Sequence, residues 1–262
     1  MTICRTICRT ISSDWLKTKR TAIRLIVVIV PILYPLIMLW YFTKHSIQSQ
    51  IYDAFFLVIS VAMPIMAALL CGLIGTQEEN AGNFNVLLGS INGRMTNYAS
   101  KFILLILMTV SSVFFSTIVL LVGMKWILHV ENIQAGLFLQ GALFVILGSL
   151  ILYIIHLFLS FAFGMGASIA VGGAGFLIAA IFGGTVVGDA IWPFIPWTWA
   201  ARLSQLPEVF IRDFQMPSGI NPSELFAEQF SKGISAVIIG TVIVLIASIV
   251  WFSRWEGRKS YE

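Results

Sequence analysis

Charge is what this 262-residue sequence has least of. Asp, Glu, Lys and Arg together occupy 11% of its positions while 58% are hydrophobic, and a soluble domain carries charge on about a quarter of its residues. Too few charges remain to coat a globule of this size, so the chain reads as an integral membrane protein. Cysteine is scarce as well. Cys4 and Cys8 precede the first apolar run and Cys71 lies inside the second, so no extracellular pair exists and a disulfide scaffold is excluded. The i,i+4 spacing of Cys4 and Cys8 would suit a metal, but no His or further Cys stands near them, and reduced thiols are the simpler reading. The sequence has no G-x-x-x-x-G-K-[ST], so it cannot cradle ATP phosphates, and no H-E-x-x-H, which removes the commonest membrane zinc proteases. Asp189 has no neighbouring carboxylate with which to divide acid and base roles. Enzyme classes therefore drop out.

What is present is six runs long enough to cross a bilayer as helices, each of about 20 apolar residues. They are Ile23–Thr43, Ala54–Thr76, Phe102–Met124, Ala135–Phe163, Gly166–Gly188 and Ile234–Phe252, so the expected fold class is an all-α, polytopic membrane domain occupying 1–262. The first run follows a basic leader (Arg5, Arg9, Lys17, Lys19, Arg20) as a signal peptide's core would. It is too long for a cleavable core and no small-x-small site closes it, so it is a span. Residues 1–22, basic and partly apolar, suit a segment lying on anionic lipid. With the N-terminus placed inside, 11 Lys and Arg fall on the inner side against 5 outside, and acids divide five to seven. Retention of basic flanks on the cytoplasmic side then puts both termini inside and accounts for the net charge of +4 without nucleic acid as a partner. Trp40, Tyr41, Trp126, Trp251 and Trp255 close spans as interfacial anchors.

Inside the membrane there is almost no chemistry. Arg24 can snorkel from the inner edge of the first span, and no Asp, Glu, Lys or Arg lies within the other five. His156 is the one ionisable residue besides cysteine deep in the bilayer. Ion-driven carriers rely on intramembrane charges, so a His156 relay in a secondary transporter ranks below a His156 that hydrogen-bonds between helices. Residues 164–188 hold eight of the 21 glycines. Gly175, Ala179 and Gly183 make one small-xxx-small row, and Ala180, Gly184 and Gly188 another. Close packing of this span on another helix is the first expectation, and a broken, substrate-lining helix the second. Residues 189–233 are expected outside, with Trp192, Trp197 and Trp199 in the outer interface. Asn221, Pro222 and Glu224 should start a helix leading into the last span.

The loop 77–101 between the second and third spans carries the most information. Thr76 and Glu79 have the spacing of a capping box. Phe84, Leu87 or Leu88 and Ile91 follow at helical spacing, and Gly89 and Gly93 can end a helix. A short amphipathic helix results, poor in the cations that lipid binding wants. Its apolar face suits a groove on another protein or, failing that, its own bundle.

At these residues the sequence resembles the ABC-2 type permeases, and its Glu78-Glu79-x-x-Gly82-x-Phe84 pattern is most like the permeases of lantibiotic self-immunity transporters. Ser90-Ile91-Asn92 stand where the broader family often has a proline before the Arg. The resemblance implies six spans with both termini inside, and a coupling helix in which Glu78, Glu79, Gly82, Asn83, Phe84, Leu87 and Leu88 meet an ABC ATPase subunit. Arg94 and Lys101 would anchor the loop. It further implies two ATPase copies holding ATP and Mg, and a second permease, either related or a second copy of this chain. The cargo it implies is a lantibiotic or similar membrane-active antimicrobial peptide, taken from the lipid bilayer and expelled for self-protection, with another amphipathic substrate such as a drug or a lipid as a second choice. A passive membrane immunity protein that binds the peptide without ATP is the alternative.

Overall fold

The computed structural model describes residues 2–19, 21–44, 47–89, 93–216 and 219–258, excluding the side chains of 2–4, 6 and 86. The described residues form helices joined by turns, without strands. An amphipathic helix α1 (Thr2–Lys17) is followed by α2 (Ala22–Tyr41), α3 (Gln48–Asn80), a single turn α4 (Asn85–Leu88), α5 (Arg94–Trp126), α6 (Ala135–Phe163), α7 (Met165–Ile178), α8 (Trp199–Gln205) and α9 (Pro222–Arg254). The six helices long and apolar enough to cross a membrane are α2, α3, α5, α6, α7 with its continuation to Gly183, and α9. One falls on each of the six runs read from the sequence, the fifth ending at Gly183 and not at Gly188, because in hydrocarbon a single chain satisfies its backbone groups most simply as a helix.

Burial sets their order. α6 is the axis: it is apolar all round and buried along most of its length, with α3, α5, α7, α8 and α9 packed about it. α9 lies at the outside, with Ile239, Ile243 and Ile246 directed outward. α2 rests chiefly on α5 and touches α3 lightly. The neighbours Ser112–Val27 and Gly123–Leu39 advance together along α5 and α2, so these two helices run parallel.

The fifth apolar helix departs from a plain span. α7 widens into a π turn over Ala179–Gly183 and breaks into a 3-10 turn at Val186–Gly188. The carbonyls freed by this break are met by Arg202, whose guanidinium donates to Phe182 O at 2.9 and 3.2 Å and to Thr185 O at 2.5 Å while pairing with Asp189 at 2.6 Å. Gly172 and Gly175 are buried where α7 meets α3: a side chain at Gly172 would strike Ala68 and Pro64, and one at Gly175 would strike Trp197 and Pro64. The first small-residue row is therefore used within the subunit. His156 is wholly buried, and its Nδ1 lies 3.1 Å from Ser168 Oγ, which itself donates to Ala68 O. That places it as a pin between α6, α7 and α3.

The segment after α7 corrects an expectation. Trp192, Thr198, Trp199, Ala200, Ala201 and Leu203 are buried, so this stretch folds back among the helices instead of lying on the outer surface. Each tryptophan sits against a glycine of a membrane helix: Trp192 against Gly233, Trp197 against Gly175, Trp199 against Gly240. Ala200 fills the notch at Gly148, where a Cβ would come within 2.5 Å of its backbone. Gly148 is thirteen residues into α6, about 20 Å along the axis at 1.5 Å per residue. The α9 start follows its sequence signal: Asn221 Oδ1 accepts from Ser223 N at 3.1 Å with Pro222 at the first helical position.

Candidate coupling site

Both chain ends and the loop between α3 and α5 meet at one end of the bundle. α3 continues through Thr76 to Asn80, so the Thr76–Glu79 pair lies inside a helix and caps nothing; Thr76 Oγ1 is 3.8 Å from Met165 Sδ instead. No glycine or proline stands between Thr76 and Ala81, so α3 runs on as far as Asn80, two residues short of Gly82. The chain then reverses through three left-handed residues, Gly82 (φ 122°), Asn83 (φ 49°) and Phe84 (φ 65°). Glycine and asparagine tolerate that region, whereas an aromatic residue there needs strong support.

Phe84 receives that support from packing. It is 1% exposed, with its ring edge-on to Phe161 at 5.8 Å and to Trp255 at 5.0 Å. Trp255 stacks on Phe161 at 5.7 Å, and Tyr98 on Phe252 at 4.3 Å. Leu87 is buried too, and Asn97 Nδ2 donates to its carbonyl at 3.1 Å, closing the one-turn helix α4. The apolar face of the loop is thus filled by its own subunit and not free for a partner's groove. What remains exposed is a polar tip: Asn80, Ala81, Gly82, Asn83, Asn85 and Gly89.

Beneath the tip lies a charge cluster. Glu78 is 3% exposed and accepts from Lys101 Nζ at 2.7 Å and Lys17 Nζ at 3.1 Å. Asp14 of α1 accepts from Lys101 at 3.3 Å, Lys17 at 3.4 Å and Ser100 Oγ at 3.0 Å. Two carboxylates and two ammonium groups balance, which is how buried charge becomes tolerable. Burial alone would lower the Lys17 pKa; the Glu78 and Asp14 carboxylates outweigh it and raise the value above the ordinary range. Glu78 and Glu79 sit at the negative end of the α3 dipole, an unfavourable place for acid, and both are matched by cations. Glu79 pairs with Arg258, whose guanidinium lies over the Phe84 ring. Arg94 Nη1 donates to Ser253 O at 2.9 Å and Trp255 O at 3.4 Å.

Of the residues singled out from the sequence, Glu78 and Lys101 are brought into direct contact, and Arg94 and Glu79 are tied to the C-terminal tail. Gly82 and Asn83 form the tip, Leu88 is half-buried, and Phe84 and Leu87 point inward. Ser90-Ile91-Asn92 lie outside the described residues. Sequence reasoning missed Asp14, Lys17, Trp255 and Arg258. Asp14 carried a signal: it is the single acid in an otherwise basic leader, three positions before Lys17.

A family model described as ABC-2 family transporter protein matches residues 10–175, from within α1 to the last turn of α7. This range includes the whole charge cluster and the loop tip. No curated protein and no solved structure matches the chain. Members of the family are membrane transport components that associate with an ABC ATPase subunit. The matched range spans more than half of the sequence, six helices have the length and apolarity to span a membrane, and on both counts the chain belongs to the ABC-2 transporter family.

Proposed function

We propose that this chain is the permease subunit of an ATP-driven exporter, and that the polar tip at residues 80–85 is its contact with the ATPase. One observation carries this reading: directly beneath the loop tip, one ion cluster joins three different helices. Glu78 on α3, Lys101 on α5 and Asp14 on α1 share one buried ion cluster, so a push on the tip is delivered to α1, α3 and α5 together as a rigid-body displacement. ATP and Mg belong on the partner, since this chain has no phosphate-cradling loop. The basic flanks support a tip and termini on the cytoplasmic side of the cell membrane. Two ATPase copies and a second permease, related or identical, complete the assembly. The cargo is a lantibiotic or similar membrane-active peptide, expelled for self-protection; the Glu78-Glu79-x-x-Gly82-x-Phe84 pattern and the acid-rich outer side support a cationic peptide.

The test uses two variants of the tagged chain in its native membrane. Asn85→Arg alters the exposed tip and leaves the core untouched, so it should abolish co-purification of the ATPase while expression and melting temperature hold. Phe84→Asp buries a charge among Phe161 and Trp255 and should destabilise the subunit itself. Retention of the ATPase by Asn85→Arg at wild-type levels would remove the tip from the interface. Peptide resistance that survives loss of the ATPase's hydrolysis would replace the exporter by passive immunity.

A further inference from the structure

α2 carries two prolines, Pro31 and Pro35, and each removes an N–H that a carbonyl four residues earlier would have accepted. The first gap is repaired: Ser112 Oγ donates to Val27 O at 3.2 Å. The second is not. Among the described residues no side chain donates to Pro31 O. One turn further along α5 stands Ser116, level with Pro31 because the two helices run parallel. Ser116 is 1% exposed, and its hydroxyl has no hydrogen-bond partner. Thr109 and Thr117 on the same helix bond back to the carbonyls four residues before them, Leu105 O and Val113 O. Ser116 does not.

Pro31 and Ser116 both line a cleft of about 140 Å³ between α2, α3 and α5. Its rim residues Val30 and Val58 are exposed on the lipid-facing side, so the cleft opens sideways into the bilayer. Tyr34 closes one end, stacking on Phe55 at 5.1 Å and donating to Phe55 O at 2.6 Å. Three methionines, Met63, Met66 and Met108, line the remainder. A volume near 150 Å³ holds a single aromatic ring, and thioethers favour ring contacts. An unpartnered hydroxyl and an unanswered carbonyl, carried by two residues of the cleft wall, fit a group that both donates and accepts.

We infer that this cleft is an intramembrane binding site for a small phenol-type molecule that enters from the bilayer. Its ring lies among the methionines, and its hydroxyl donates to Pro31 O and accepts from Ser116 Oγ. The site stands independently of the ATPase contact proposed above, since no residue of the loop tip takes part.

The purified chain in lipid nanodiscs, titrated with 4-fluorophenol and followed by ¹⁹F NMR against empty nanodiscs, tests this. Wild type should bind saturably. Ser116→Ala should weaken 4-fluorophenol about tenfold, the loss of one hydrogen bond at 1.4 kcal/mol per decade, and leave fluorobenzene binding unchanged. Ala62→Phe, which fills the cleft from α3, should abolish both. Ser116→Ala removes an unpartnered polar atom, so its melting temperature should equal or exceed that of wild type. This keeps the test valid should Ala62→Phe fold poorly. A signal that grows linearly with concentration as in empty nanodiscs overturns the site. Equal 4-fluorophenol affinity in wild type and Ser116→Ala overturns the hydroxyl's role.

Discussion

The two ends of the bundle handle charge in opposite ways. At the end holding the termini, Asp14 and Glu78 are matched one for one by Lys17 and Lys101 within hydrogen-bonding range. At the far end, Glu208 is half-buried near Asp53 and Asp213, while Arg202 is occupied by Asp189 and two carbonyls. Asp53 accepts from Gln205 Nε2 at 2.8 Å, and Asp213 caps the start of α3 through Gln48 N at 2.7 Å. Burial, then the two neighbouring carboxylates, push the Glu208 pKa up to about 8. A balanced cluster works as a mechanical joint. An unbalanced one makes stability a function of pH.

The largest effect should come from breaking the balanced end. Lys101→Ala leaves two buried carboxylates short of a cation and should cost about 3–5 kcal/mol in denaturant unfolding. Replacing the pair together, as Lys101→Met with Glu78→Leu, should recover most of that loss; a double variant no more stable than Lys101→Ala would show that the pair is not the source. Next comes pH. A carboxyl whose folded pKa is raised lends stability below its ordinary value of 4.5, and that contribution is lost as pH climbs to about 8. Melting temperature should therefore fall between those limits and level off above them, and Glu208→Gln should flatten the slope. Asp213→Asn keeps a side-chain acceptor for the α3 N-terminus and removes a charge. It should cost a few tenths of a kcal/mol and shift the end of the slope to lower pH, by titration of the melting curve. Small as well is the effect of Lys17→Ala. Lys17 is 39% exposed at its side chain, water screens much of its attraction, and a loss below about 1 kcal/mol is expected. A loss as large as that of Lys101→Ala would mean α1 is held chiefly through Lys17.

The spans were legible because length and apolarity alone determine whether a helix can cross hydrocarbon. The α9 cap was equally legible, since Asn221, Pro222 and Ser223 act within one turn. The loop was half legible. Its helical spacing marks Phe84 and Leu87 as one face, but spacing does not say whether that face meets a partner or Phe161 and Trp255, more than 70 and 170 positions away. Thr76 and Glu79 misled because T-x-x-E also occurs inside helices, and nothing local stops α3 before Gly82. The tryptophans at 192, 197 and 199 misled for a related reason. A Trp beside prolines looks interfacial until the glycines that receive it, on α7 and α9, are known.

Those seats also determine how the subunit can move. Trp192, Trp197 and Trp199 enter notches on α9, α7 and α9 again, while Ala200 enters one on α6. A notch one residue wide does not permit sliding, because the next residue along the helix presents a side chain where the ring must go. With all four seated, α6, α7 and α9 tilt together as a single body without changing register. α2, with two prolines inside it, takes no part in these seats. It follows α5, on which it chiefly rests, and meets α3 through Tyr34, which stacks on Phe55 and donates to its carbonyl.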